Sequence, residues 1–133
     1  MPSPTPDTAN LISSILRAAR EVHHDQGPGL TGPIYEWCLS RELGLRALSA
    51  VNPTSIRITY KGFVRDEFLR TALLVEDRVL VEVLALEKIL PIHQTRLSGR
   101  LRLLKAPAGL LINFHATRLA DGVSRLFLSD AGA

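Results

Sequence analysis

The residue types that most readily suggest chemistry mostly fail on spacing. The segment "GPGLTG" (27–32) has glycines at the intervals of a dinucleotide-binding loop. That loop works only when a strand enters it and a helix leaves it, so that the pyrophosphate rests on the helix N-terminus. Here the preceding residues have helical periodicity and Pro28 sits inside the loop, so the segment reads as a helix–helix connector. Of the four histidines, His23 and His24 are adjacent, about 100° apart on a helix, while His93 and His115 are isolated. No H-x-x-x-H or C-x-x-C spacing occurs, and metal sites of the usual kind need one. The histidines read as solvated or capping groups. The single cysteine, Cys38, falls in an apolar helical stripe rather than an activating setting. It reads as a small hydrophobe, excludes an internal disulfide and fits a reducing compartment. No G-x-S-x-G elbow is present.

Two features remain. The stretch "RTALLVEDRVLVEVLALEK" (70–88) reads as two apolar strands joined by the charged turn "EDR". The second strand is nearly continuous in apolar residues, as expected of a central strand covered on both faces, yet it contains Glu82. A buried carboxylate there needs a partner, because an uncompensated charge in that setting is costly. Further on, "RLSGRLRLLK" sets Arg96, Arg100, Arg102 and Lys105 along one helix, with Arg96 and Arg100 one turn apart and Arg102 away from them. Such charges are either a solvated face or a phosphate-contacting surface for DNA or RNA, with strong salt dependence. No aromatic residue interleaves with them, which leaves no stacking platform for single strands on the helix itself.

The elements that must position these groups follow from periodicity. A helix is expected from Asp7 or Thr8, either of which can cap it, with Leu11, Ile12, Ile15, Leu16, Ala19 and Val22 as its stripe and Gly27–Pro28 as its stop. A second helix follows Pro33, with Ile34, Cys38, Leu39 and Leu43 inward, and ends at Gly44. "SAVNPTS" reads as a loop. The period then changes to two at Ile56, Ile58 and Tyr60; "KGF" turns the chain, and one strand is expected over about 64–75. A third helix from Pro91 to about Leu104 separates the strand "VLVEVLAL" from the buried strand "AGLLINF", which makes a parallel βαβ unit. "VSRLFL" is a last short element.

At 133 residues the chain should be one domain, burying about two thirds of its unfolded surface. Only 5% of it is aromatic, so the core must be aliphatic and needs no cofactor to hold it together. A net charge of +3 is compatible with nucleic acid without implying it. No apolar run approaches the roughly 20 residues of a membrane span, and the opening "MPSPTPDTAN" lacks a basic n-region. A cytoplasmic location is expected.

Taken together, "GPGL" (27–30), "YKG" (60–62), "EKILPIH" (87–93) and "GLLINF" (109–114) resemble the GxxExxY family. These are small bacterial proteins of the PD-(D/E)xK nuclease-like superfamily, and the similarity runs from about Leu11 to Leu128. The resemblance implies a metal-binding aspartate, a glutamate and a lysine on neighbouring strands. In this chain the aspartate position falls on Ala72, and the E-x-K positions fall on Glu82 and Leu84. The naming motif places its glycine on Gly29, its glutamate on Gly32 and its tyrosine on Tyr35, and a glutamine of the following helix falls on Arg96. Of the five polar positions that fall on residues 32, 72, 82, 84 and 96, only Glu82 is kept. Magnesium wants about six oxygen ligands, often with one or two carboxylates among them, so Glu82 alone is a feeble site.

The expected fold is therefore α/β, a restriction-endonuclease-like core with a small mixed sheet flanked by helices. One domain is expected over 7–128, with flexible ends at 1–6 and 129–133. The expected function is a catalytically inactive binding module in which an Arg96–Glu82 ion pair replaces the metal site. Its partner is either nucleic acid, reached through Arg96, Arg100, Arg102 and Lys105, or a protein. For a protein, Trp37, Tyr35 and the cleft around Ala72 and Leu84 are the surfaces to test, with Tyr35 better read as packing. One alternative is an active magnesium-dependent nuclease with relocated ligands, Glu67 or Glu87 being best placed. The other is a structural subunit of a homo- or hetero-oligomer. No cofactor is expected outside the magnesium alternative, and no membrane.

Overall fold

Proline and threonine set the start of the first helix. In the computed structural model, which describes residues 4–53 and 55–128, α1 spans Pro6–Gln26, and the Thr5 hydroxyl accepts from the Thr8 backbone N–H at 3.2 Å. The cap is thus Thr5 rather than Asp7 or Thr8. Pro6 suits the first helical turn, having φ preset and no N–H to satisfy, so it belongs to the helix and not to an arm. Residues 1–3 and 129–133 of the expected ends lie outside the described residues. Helix α2 (Gly32–Leu45) buries Tyr35, Leu39 and Leu43. Its inward stripe is rotated from the expected one: Ile34 is exposed and Cys38 half-buried.

Tyr35 explains that rotation. Its ring stacks on Phe114 with centroids 4.8 Å apart. Its hydroxyl donates to the Gly27 carbonyl at 2.5 Å and accepts from the Leu30 N–H at 3.0 Å. The "GPGL" turn is therefore pinned from inside, with Gly27 and Gly29 at φ 71° and 105°, backbone that a glycine adopts without strain. His115 adds a contact from its Nε2 to the Leu30 carbonyl at 2.6 Å, and His23 reaches the Ala116 carbonyl at 2.8 Å. These histidines brace loops.

Strands β1 (Ala50–Val51), β4 (Ala72–Val75), β5 (Val79–Leu84), β6 (Ala108–Asn113) and β7 (Val123–Phe127) form one sheet in that order. β5 and β6 are parallel and are joined by α3 (Pro91–Leu104), as the periodicity predicts; the other neighbours are antiparallel. β1 arises within the segment read as a loop. The expected strand over 64–75 is instead two. β2 (Ser55–Tyr60) and β3 (Phe63–Phe68) form a separate two-stranded ribbon. The chain breaks at 69–71, where Leu69 turns into the core and Thr71 takes φ 53°.

Strand alternation divides the interior. Leu73, Val75, Val81, Val83, Leu110 and Ile112 face α1 and α2, whereas Ala72, Leu80 and Leu111 face α3, where Leu97 and Leu101 meet them. Ile56 and Leu69 attach the ribbon to this second core. The approach of α3 to the sheet is set by Gly109, where a Cβ would lie 2.9 Å from Leu97 Cδ1 and 3.1 Å from Leu101 Cδ2. Among the described residues no helix is long and apolar enough to cross a membrane. Overpacking a filled core is destabilising, so Gly109→Val should lower unfolding stability by about 1–3 kcal/mol. Urea titration read by circular dichroism measures this.

Candidate functional site

The α3-facing parity of β5 determines where its carboxylate goes. Leu80, Glu82 and Leu84 alternate onto that side, and Glu82 stands opposite Ala72 on β4 and beside Leu111 on β6. Its side chain is only 6% exposed, and Arg100 Nη1 donates to its Oε1. A cation partner was expected, but the expected residue, Arg96, is not the one. The helix of a βαβ unit runs back along the sheet, so later helical residues lie beside earlier strand residues. Four helical residues advance about 6 Å, nearly the same as two strand residues at about 6.6 Å. Arg96 therefore comes level with the Leu84 end of the strand and Arg100 with Glu82.

Above this pair lies a cleft of about 590 Å³, walled by Arg65–Phe68 of β3, by Arg70 and Thr71, by Glu82 and Leu84, and by Arg96 and Arg100 of α3. Four arginines thus meet three carboxylates. Asp66 is held by Arg57 at 3.5 Å, Glu67 by Arg65 at 3.7 Å and Glu82 by Arg100. Among the described residues, Arg70 and Arg96 have no acidic partner within 4.0 Å. The cleft therefore presents two uncompensated guanidiniums, a donor geometry suited to phosphate oxygens.

The other sequence candidates separate. Arg102 donates to Ser98 Oγ at 3.0 Å and lies outside the cleft; Lys105, in the left-handed conformation that ends α3, lies outside it as well. Ala72 is fully buried in the α3-side core, so the cleft is not emptied around it; only Leu84 lines the wall. Gly32 does not line the cleft; it packs beside Thr71, where a Cβ would approach Thr71 Cγ2 at 3.3 Å. Glu67 does reach the cleft, as does Asp66, while Glu87 does not line it. Trp37 is 61% exposed, with the Arg41 guanidinium 5.6 Å over its ring, and lies elsewhere. Burial, with a lesser push from Asp25, raises the Cys38 thiol above its usual range, which suits an inert group.

Sequence reasoning missed Arg65, Phe68 and Arg70, which it placed in one long strand. Phe68 is 74% exposed and supplies the cleft with an aromatic face that α3 lacks. It also missed Asn113. That buried side chain accepts from the Leu86 and His115 N–H groups and donates to the Leu86 carbonyl, fastening the end of β5 to β6 below Glu82. An amide inside the run "GLLINF" was the available signal.

A divalent ion does not fit this donor set. Glu82 Oε1 is engaged by Arg100, the residue opposite is a methyl group, and Leu84 brings no nitrogen. Among the described residues no three His, Cys, Asp or Glu side chains are grouped to hold a metal. Removing one partner of a buried pair leaves the other uncompensated, at about 3–5 kcal/mol. Arg100 retains 24% exposure, so Arg100→Met should destabilise by about 2–3 kcal/mol, below that range. Adding Glu82→Leu should recover most of the loss, since an apolar replacement of both partners is often neutral. Chemical denaturation of the single and double variants gives the comparison.

A family model described as the PD-(D/E)XK nuclease superfamily matches residues 9–126. No curated protein matches the chain, and no solved structure does. With the model covering nearly the whole length, and with a mixed five-stranded sheet between helices beneath it, the chain belongs to the PD-(D/E)XK nuclease superfamily.

Proposed function

We propose that this chain is a nuclease fold that binds without cutting, holding the phosphodiester backbone of a nucleic acid in the arginine-walled cleft. The observation that carries the reading is the Glu82–Arg100 pair opposite Ala72. A carboxylate of the second core, which in a metal-dependent nuclease would take an ion, is neutralised by an arginine of the chain itself. Without the ion, neither the leaving oxygen nor an attacking water is activated. What remains is an anion site: Arg70 and Arg96 are unpaired by acid among the described residues and stand on two walls of one cleft. The reading includes the narrower GxxExxY assignment, with Gly32, Ala72 and Leu84 at positions where that family carries polar groups.

One observation favours a second reading, an active nuclease with relocated ligands: Asp66 and Glu67 share the cleft with Glu82. Each is engaged by its own arginine, so metal binding would have to displace those contacts. The protein-partner reading rests on exposed Trp37, which is remote from these groups.

Anisotropy titration with labelled DNA and RNA at several salt concentrations tests the proposal. Affinity should fall steeply with salt. Arg70→Gln and Arg96→Gln should each flatten the log–log salt slope by about one, with smaller effects from Arg102→Gln and Lys105→Gln. No binding at low salt would overturn the reading. Cleavage with magnesium or manganese that disappears in Glu82→Ala would establish the relocated-ligand alternative instead.

A further inference from the structure

We infer that β3 is a dimerisation strand, and that two copies of the chain pair through it antiparallel about a twofold axis at Asp66. This does not rest on the reading of the cleft. β3 pairs with β2 alone, and every one of its six residues is exposed. Phe63, Val64 and Phe68 are 77%, 59% and 74% exposed. The strand has no proline or lysine, and its three charges, Arg65, Asp66 and Glu67, guard the edge only against a partner whose charges do not complement them.

The register follows from the ribbon's own turn. Lys61 and Gly62, at φ 47° and 87°, form a two-residue hairpin loop. The closing pair Tyr60–Phe63 therefore exchanges both of its backbone hydrogen bonds. Bonding alternates along the ladder, so Phe63, Arg65 and Glu67 direct their backbone groups at β2, and Val64, Asp66 and Phe68 direct theirs outward. A second β3 related by a twofold perpendicular to the ribbon keeps equivalent faces together. Only residues of the same parity can then stand opposite each other.

The register that uses all three outward residues on both strands sets Asp66 against its own copy and Val64 against the second copy's Phe68. Arg65 then opposes the second copy's Glu67, twice over, in the non-hydrogen-bonded positions where side chains come closest. Sliding by one symmetric step sets Arg65 against itself or places Asp66 against Phe68. The favoured register is thus the one in which charge and apolar groups are both matched. The Arg65–Glu67 contact within one chain is long and exposed, so exchanging it for the intermolecular one sacrifices little. The meeting of two Asp66 carboxylates is opposed by Arg57, which stands across the ribbon from each.

Sedimentation velocity of the full chain over a concentration series tests this. The species should move from 14.6 kDa toward twice that mass. Arg65→Glu or Glu67→Arg alone should weaken dimerisation by about tenfold, since each sets like charges opposite at two symmetric places. The double reversal should restore it, and Asp66→Asn should tighten it. A monomer at every concentration overturns the inference. So does a dimer indifferent to both charge reversals, which would be held by another surface.

Discussion

One carboxylate in a strand of aliphatic side chains constrains the α3 half of this molecule. Glu82 lies between Ala72 and Leu111 with little access to water, where a lone charge would be costly. Arg100 makes the position tolerable, and to do so α3 must lie at a particular height along the sheet. Gly109 permits the close approach of the helix, and Leu97 and Leu101 hold it there. The helix phase that buries those leucines also delivers Arg100 to Glu82 and leaves Arg96 facing the opening.

The opposite side of the sheet is organised around a different polar group. The Tyr35 hydroxyl, inside an apolar core, satisfies two backbone groups of the turn between α1 and α2. Because the ring also stacks on Phe114, the helical hairpin is keyed to the end of β6. Asn113, the residue before Phe114, fastens that same end to the exit from β5. The two polar anchors meet at this end of the sheet through neighbouring residues, Tyr35 by way of Phe114 and Asn113 directly, and the strand end that carries Leu84 is held by both.

Much of this architecture could be read before any coordinates. Pro91, the leucine spacing after it and the two flanking apolar strands specify a βαβ crossover, because no other connection joins such strands in parallel. The alternation Ile56–Ile58 against Arg57–Thr59 locates the ribbon. The break at 69–71 was hidden, since the turn uses Thr71 at positive φ rather than a glycine or proline. That hidden break concealed the cleft: as one strand, Phe68 and Arg70 have no reason to approach α3. The choice of Arg100 over Arg96 was illegible for another reason. Both occupy the same face of the helix, and only the length of the crossover sets which comes level with Glu82.

The ribbon touches the rest of the protein through very little. Ile56 and Leu69 are its buried attachments to the α3-side core, Ile58 is half-buried, and the other residues of the two strands are exposed. One jaw of the cleft is therefore hung on two aliphatic pegs, while the other is welded to the sheet. Where that jaw sits depends on how Ile56 and Leu69 seat, so aliphatic substitutions at these two positions would alter the opening without changing any of its charges.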